Sequence, residues 1–424
     1  MVRQVHDALD IGKGIRRERL AEVVHERCRT RWCDASWPDE CGDVCASIGK
    51  GCGDALPQQS RRSCDEYAHA VIVEGTRTRV YDAAVSEPGA TKCLKGIVVG
   101  LGVMGTHHLR VLRSLTDDVE VVAVVEPDGG RWSAAAGIRC FADLDSALED
   151  TEPDFACISV PATDLARLAG QVVAAGLAVF VEKPLAASEA EARVLITAAG
   201  ERGVALGVGH VERFNPAVTA LKEKLDAGAI GRIYQLHARR LSPHPNRDTR
   251  LGVAVDLATH DVDVMRYLTG SEVHRVFAEV AERAGSGVDD LVCGTLRFDD
   301  ETTGLLEVNW LTPTKVRELS VTGEGGMFVV DYLTQDLRFY ERPRKSIDWE
   351  TLGVVRGTDE GDMIRYAIAR REPLALEWEG FLSSVRTGSS PPVSGDDGLA
   401  ALSIALALHE SGRAHTPIRP QYRS

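Results

Sequence analysis

Residues 96–105 read GIVVGLGVMG, an apolar run that closes on Gly100, Gly102 and Gly105. Physically this is a short buried strand, a tight turn and the first turn of a helix, with backbone N–H groups left free to meet a diphosphate. Glycines cluster in many turns, so the G-x-G-x-x-G pattern gains its weight from its surroundings. Residues 104–115 continue with helical period, and 119–125 form a strand nearly continuous in Val, as expected of a strand buried on both faces. Glu126 ends that strand, 24 positions after Gly102. This is close to the spacing at which an acid meets the ribose hydroxyls of a bound dinucleotide.

A carboxylate at that point repels a 2'-phosphate, so NAD is favoured over NADP. Asp128 is the alternative carrier of the role. Strand 154–160 ends in Pro161, and strand 178–181 ends in Glu182-Lys183-Pro184. Both ends lie at the carboxyl edge of a parallel sheet, where ligands of open α/β folds bind. The expected cofactor contacts are Gly100, Gly102, Val103, Met104, Gly105, Glu126, Pro161 and Glu182. Lys183, with proline fixing the chain after it, falls beside the nicotinamide end.

The expected fold class is α/β: an N-terminal Rossmann dinucleotide-binding domain, then a C-terminal α+β domain with a large, mostly antiparallel sheet. Residues 233–238, 273–280, 291–298, 304–310, 317–322 and 328–332 carry strand signals, with turns at 299–300 and 325–326. Residues 376–387 and 398–411 have helical period, and 342–361 reads as a loop. The expected division is 1–92 as an extension, 93–212 as the nucleotide domain and 213–395 as the substrate and oligomerisation domain. Residues 396–424 form a helix and tail returning to the nucleotide domain.

Asp256, His260 and Asp263 are spaced i, i+4 and i+7, which on an α-helix puts two carboxylates around one imidazole. Such a grouping suits proton transfer near neutral pH. Leu257, Val262, Val264, Met265 and Leu268 show that this helix is largely embedded, which argues against a plain polar surface. Arg213 and Asn215, in HVERFNP at 210–216, are candidate substrate contacts; Asn215 serves equally well as the N-cap before Pro216. His210 reads as a satisfied interior histidine. RRLSPHPNRDTR at 239–250 reads as a loop with four arginines in an acidic protein. Arg240, Arg247 and Arg250 are therefore candidates for a substrate diphosphate, and an exposed basic loop is the competing reading.

The chain has 424 residues and a net charge of −14, which argues against a general nucleic-acid or anionic-membrane surface. It contains no apolar run long enough to span a bilayer and no secretory leader pattern, so a cytoplasmic, soluble protein is expected. Six of its ten cysteines, Cys28, Cys33, Cys41, Cys45, Cys52 and Cys64, crowd into one foreign stretch without zinc-ligand spacing. No metal is expected. That extension reads as weakly ordered, with one amphipathic helix over 15–24; a start near Val85 would leave 86–92 as a short leader.

GLGVMG at 100–105, VVEPD at 124–128, EKPLA at 182–186 and DLATHDVD at 256–263 together resemble the glucose-fructose oxidoreductase and inositol dehydrogenase (Gfo/Idh/MocA) family over residues 94–416. The resemblance implies that Lys183 matches the family's catalytic lysine, Asp256 its substrate-positioning aspartate and His260 its catalytic histidine. It also implies oxidation of a secondary sugar hydroxyl with NAD, by a homodimer or homotetramer. GHVERFNPAV at 209–218 is similar to the branch that acts on the 3-hydroxyl of UDP-N-acetylglucosamine, so a UDP-sugar is the expected substrate. An inositol or free sugar, or a non-catalytic NAD-binding regulator, are the alternatives. Three departures from the family pattern are Leu165, where a histidine is frequent, Glu126, where aspartate is usual, and the N-terminal extension, which is foreign to the family. A lysine ordinarily holds its proton to about pH 10.4, which favours His260 over Lys183 as the base.

Overall fold

The computed structural model describes residues 68–74, 77–83, 93–245, 251–285, 287–342 and 361–423. The chain divides into two compact units, Met1–Thr91 and Lys92–Ser424. In the first, strands β1 (Ala68–Glu74) and β2 (Arg77–Ala83) pair antiparallel, with Glu74 opposite Arg77. This hairpin is not visible in the composition of the stretch as a whole. The six cysteines, the helix expected over 15–24 and the start at Val85 lie outside the described residues.

The second unit begins with a six-stranded parallel sheet. Its strands are β3 (Leu94–Val99), β4 (Val119–Val125), β5 (Cys140–Phe141), β6 (Phe155–Ile158), β7 (Ala178–Glu182) and β8 (Leu206–Gly209), in spatial order β5-β4-β3-β6-β7-β8. This is the doubly wound order, with its reversal between β3 and β6. Helices α1 (Val103–Ser114), α2 (Leu144–Asp150), α3 (Ala162–Ala174) and α4 (Glu189–Arg202) connect the strands. Their ends follow local chemistry: Asp143 and Ser188 cap the N-termini of α2 and α4 through their side chains, and Gly203 ends α4 in the left-handed region. Alternate strand residues enter different cores. Ile97, Val125, Ile158 and Val181 pack with Leu165 and Leu195, whereas Val98, Val124, Cys157 and Phe180 pack with Leu112 and Trp378. Burial on both faces explains why these strands read as unbroken apolar runs.

Residues 211–214 form a 3₁₀ turn, followed by α5 (Pro216–Asp226) and the long strand β9 (Ile233–Pro243). A π-helical turn, Ala254–Ala258, then leads into α6 (Thr259–Thr269). The remaining strands are β10 (Val273–Ala281), β11 (Leu291–Phe298), β12 (Thr303–Asn309), β13 (Leu311–Gly323), β14 (Gly326–Asp331), β15 (Asp336–Glu341) and β16 (Met363–Tyr366). With β9 they make an eight-stranded sheet ordered β10-β11-β12-β9-β13-β14-β15-β16, antiparallel except where β12 runs parallel to β9. The expected loop at 342–361 falls almost wholly outside the described residues.

Two C-terminal helices bind the layers together. Helix α7 (Pro373–Thr387) lays Trp378 and Phe381 against Phe155 and Phe180, so it covers the parallel sheet. Helix α8 (Gly395–Ala414) starts in a capping box between Ser394 and Asp397. Glycines let α8 approach closely at both ends: an added Cβ at Gly398 would lie 2.9 Å from Val208 of β8, and one at Gly412 2.3 Å from Val280 of β10.

Candidate active site

The glycine turn sits at the point where the sheet order reverses. Gly100 adopts φ +94, and a Cβ there would lie 2.2 Å from the carbonyl oxygen of Ser159, at the end of the neighbouring strand β6. A Cβ at Gly105 would lie 1.9 Å from the Gly100 carbonyl oxygen, so only glycine lets α1 start this close to the turn. Gly102 differs: a Cβ there meets nothing within 4 Å, and this N-cap position supplies no side-chain cap to α1. The first N–H groups of α1, at Val103 and Met104, follow directly on this unobstructed glycine, the arrangement a diphosphate site requires. Val103 is exposed and Met104 half-buried. We expect Gly102→Ala to keep the thermal stability of the cofactor-free protein while weakening NADH binding at least about tenfold, by putting a methyl where the diphosphate approaches. Fluorescence titration and a thermal melt check this; unchanged affinity contradicts it.

Glu126 is tied directly to this turn. Its Oε2 accepts from the Leu101 N–H at 2.8 Å and its Oε1 from the Asp128 N–H at 3.0 Å. The Asp128 side chain caps the 3₁₀ turn 129–135 by accepting from the Gly130 N–H. Glu126, rather than Asp128, is thus the acid fixed at the end of β4 beside the glycine loop. Pro161 occupies the N-cap position of α3 after β6 without a side-chain cap, and Leu165 of that helix is buried against the sheet.

The Glu182 carboxylate, expected to contact the cofactor, is held in a buried chain instead. The indole N–H of Trp378 donates to Nδ1 of His108 at 3.0 Å, which leaves the proton on Nε2 to donate to Glu182 Oε1 at 2.7 Å. The other oxygen of Glu182 accepts from the backbone N–H of Lys183 at 3.1 Å. Glu182 thereby positions the lysine that follows it. Lys183 Nζ donates to both the carbonyl oxygen and Oδ1 of Asp256, at 2.7 and 2.8 Å. This bond joins the carboxyl edge of the parallel sheet to the π-turn ahead of α6.

Asp256 lies in the π-helical turn, whereas His260 and Asp263 follow it in α6, so the three do not share one regular α-helix. The π-helical turn at 254–258 widens the helix just where the spacing argument assumed an α-helix. Asp263 is fully buried and engages Arg213 through two 2.7 Å bonds, to Nε and Nη2. Arg213 was expected to touch substrate. Its remaining donors reach the Pro392 carbonyl oxygen and Asp397, so the guanidinium is a structural clamp between the 3₁₀ turn, α6 and α8. Burial opposes its charge, but Asp263 and Asp397 more than offset this and raise its pKa. Asn215 takes the capping role: its Oδ1 accepts from the Ala217 N–H, and its Nδ2 donates to the Tyr332 carbonyl oxygen.

Arg240 likewise departs from expectation, because residues 239–243 are the end of β9 and not a loop. Its side chain is 3% exposed and bonds Asp261 through Nε and Nη2, at 2.7 and 3.0 Å, and Glu212 through Nη1 at 2.7 Å. Its charge is thus matched inside the protein by two carboxylates. Arg247 and Arg250 lie outside the described residues.

His260 is half-buried, and among the described residues its Nδ1 has no hydrogen-bond partner. Burial first, then the positive charges of Lys183, Arg240 and Arg317, with His210 contributing, push its pKa well below the ordinary 6.5. The ring is therefore neutral at pH 7. His210 packs edge-on to it, with centroids 6.2 Å apart, and among the described residues its Nδ1 is also unpartnered, so it is buried without the satisfied ring the sequence suggests. The residues that sequence reasoning missed are His108, Trp378, Asp261 and Arg317. Asp261 lies within the DLATHDVD segment, but the other three are brought in by pairings between distant elements that no local spacing encodes.

A family profile described as "Oxidoreductase family, NAD-binding Rossmann fold" matches residues 94–210, and "GFO/IDH/MocA C-terminal domain" matches residues 218–329. The chain belongs to the Gfo/Idh/MocA family. Among its relatives, the UDP-N-acetylglucosamine 3-dehydrogenase of Acidithiobacillus ferrooxidans is 27% identical over 314 residues, 73% of this chain and 95% of that protein. The scyllo-inositol 2-dehydrogenase (NAD(+)) of Bacillus subtilis is 27% identical over 339 residues, 76% of this chain and 95% of that protein. The solved structure of the Acidithiobacillus enzyme superposes with a TM-score of 0.68 at 25% identity, covering 76% of this chain and 98% of that one. A levoglucosan dehydrogenase in complex with NADH shares the fold, with a TM-score of 0.69 at 21% identity over 78% of this chain and all of that one.

Family membership makes the chain an NAD-binding sugar oxidoreductase. The glycine turn fits that cofactor, since Gly100 and Gly105 permit the close packing and Gly102 leaves the approach open. Among the described residues no helix is long and apolar enough to cross a membrane.

Proposed function

We propose that the protein oxidises a secondary hydroxyl of a UDP-linked sugar, at C3 of an N-acetylhexosamine, with Lys183, Asp256 and His260 as the reacting group. The observation that carries the reading is the Lys183–Asp256 bond at the carboxyl edge of the nucleotide sheet, beside a neutral His260. When bound, NAD supplies the acceptor for the carbon-bound hydrogen. His260, uncharged at neutral pH, takes the hydroxyl proton. Lys183, oriented by Asp256 and by the turn that Glu182 fixes, donates a hydrogen bond to the same oxygen and stabilises the charge that develops there. Glu126 holds the adenosine ribose and disfavours a 2'-phosphate. The UDP-sugar assignment is supported by the similarity to the Acidithiobacillus enzyme over most of both chains. The comparable similarity to inositol dehydrogenases makes a polyol the second reading.

Incubating the protein with NAD and a panel of UDP-sugars, free sugars and inositols, while following NADH absorbance, tests this. The expected result is fastest turnover with a UDP-N-acetylhexosamine; turnover with inositols alone replaces it with the second reading. The pH profile follows from His260. A base must be deprotonated, so kcat/KM falls on the acid side as His260 is protonated, and the lowered pKa puts that limb below pH 6.5. A limb centred above 6.5 removes His260 from the role.

A further inference from the structure

One cation near the site is not matched by a carboxylate. Arg317 stands on β13 directly opposite Arg240 on β9, so the two side chains share one face of the sheet. Arg240 takes up both neighbouring acids, Asp261 and Glu212, and Lys183 takes up Asp256. Arg317 makes its bonds from Nη1 alone, to the carbonyl oxygens of Leu241 and Val316 at 3.2 and 3.3 Å. Among the described residues its Nε and Nη2 have no partner, and no carboxylate lies within ion-pair distance of it. The side chain is half-buried, so these donors are neither in bulk water nor sealed in the core.

The electrostatic setting agrees with this geometry. Burial first, and then the charge of Arg240, hold the Arg317 pKa down at about 10 although Asp261, Glu212 and Asp256 favour its charge. The cation is therefore held at a cost that an incoming anion would relieve. Its field also reaches His260, so it lies within electrostatic reach of the proton-transfer group. A guanidinium whose Nη1 is held by backbone carbonyls and whose Nε–Nη2 edge keeps free donors is shaped for two-pronged contact with a planar or tetrahedral oxyanion.

We propose that Arg317 is a specificity-determining residue that grips an oxyanion carried by the substrate, a phosphate or a carboxylate attached to the sugar being oxidised. This rests on the sugar-dehydrogenase reading of the same site. It accounts for a positive charge that neutral polyols would leave unused, and it transfers the anion-binding task from Arg240, whose charge is paired with Asp261 and Glu212.

The test uses the full-length protein loaded with NADH and measures binding of two probes by calorimetry: UDP for the phosphate source and glucuronate for the carboxylate source. Wild type is expected to bind at least one probe, and Arg317→Met to bind that probe at least about tenfold more weakly, the loss of charge-assisted hydrogen bonds. The probe affected names the oxyanion. Arg317→Lys, which keeps the charge without the fork, should fall between them. Arg239→Met removes an equal charge from the adjacent position on the other face of β9, where Arg239 pairs with Glu307, and should bind as wild type does. Wild type binding neither probe, or Arg317→Met binding both as tightly as wild type, overturns the proposal. The same variants assayed with anionic and neutral sugars give a separate readout, in which Arg317→Met lowers the preference for the anionic sugar at least about tenfold. If no sugar is oxidised by wild type yet Arg317→Met loses probe binding, the proposed reaction fails while the anion site stands.

Discussion

Replacing Lys183 or His260 by alanine is expected to reduce turnover by a factor of about 10²–10⁴, the range that general acid–base groups contribute, with NADH affinity nearly unchanged. The separation follows from position. Both side chains lie at the junction between the nucleotide sheet and the π-turn, whereas the diphosphate and ribose sites are built from the glycine turn and Glu126. Steady-state kinetics and an NADH fluorescence titration measure the two effects independently. Near-normal turnover in both variants overturns the assignment. Loss of NADH binding together with turnover would instead mean that the Lys183–Asp256 bond holds the cofactor cleft together.

The second large effect falls on stability. Arg213→Met leaves Asp263 buried without its partner, and Asp263→Asn leaves the Arg213 charge half matched; each should destabilise the protein by about 3–5 kcal/mol. At about 2–4 °C per kcal/mol for a domain of a few hundred residues, the melting midpoint drops by roughly 6–20 °C. The double variant Arg213→Met with Asp263→Leu should lose much less than the sum, because neither residue then leaves a buried charge. Chemical denaturation checks both. A single variant that melts as wild type does would show that Arg213 is not the clamp and reopen its substrate role.

The nucleotide half of the fold is legible because each of its signals is local. The strand that ends at Val99, the three glycines and the acid at 126 lie within one strand–helix–strand unit, and steric demand at Gly100 and Gly105 leaves no alternative residue. The large sheet is legible for the same reason, through alternation along β10–β12. Strand β9 misled the reading because its last residues, RRLSP, are polar, and a strand end that buries ion pairs looks like a loop from its composition. The helix at 256–263 misled it for another reason. Residue spacing predicts a face only if the turn is α-helical, and the N–H of Ala254 is held by Asp289, 35 residues away, at the start of a π-turn. The functions of Arg213, Arg240 and Arg317 could not be separated by sequence. All three are arginines with polar or charged neighbours in the sequence, and only the acids brought beside them decide which charge is left for a ligand.

The most direct test of the central claim is to supply the protein with NAD and a UDP-N-acetylhexosamine deuterated at C3 and to weigh the reduced cofactor by mass spectrometry. The account predicts NADH one mass unit heavier, carrying the deuterium from C3. Reduced cofactor without the label, or no reduced cofactor at all, would contradict it.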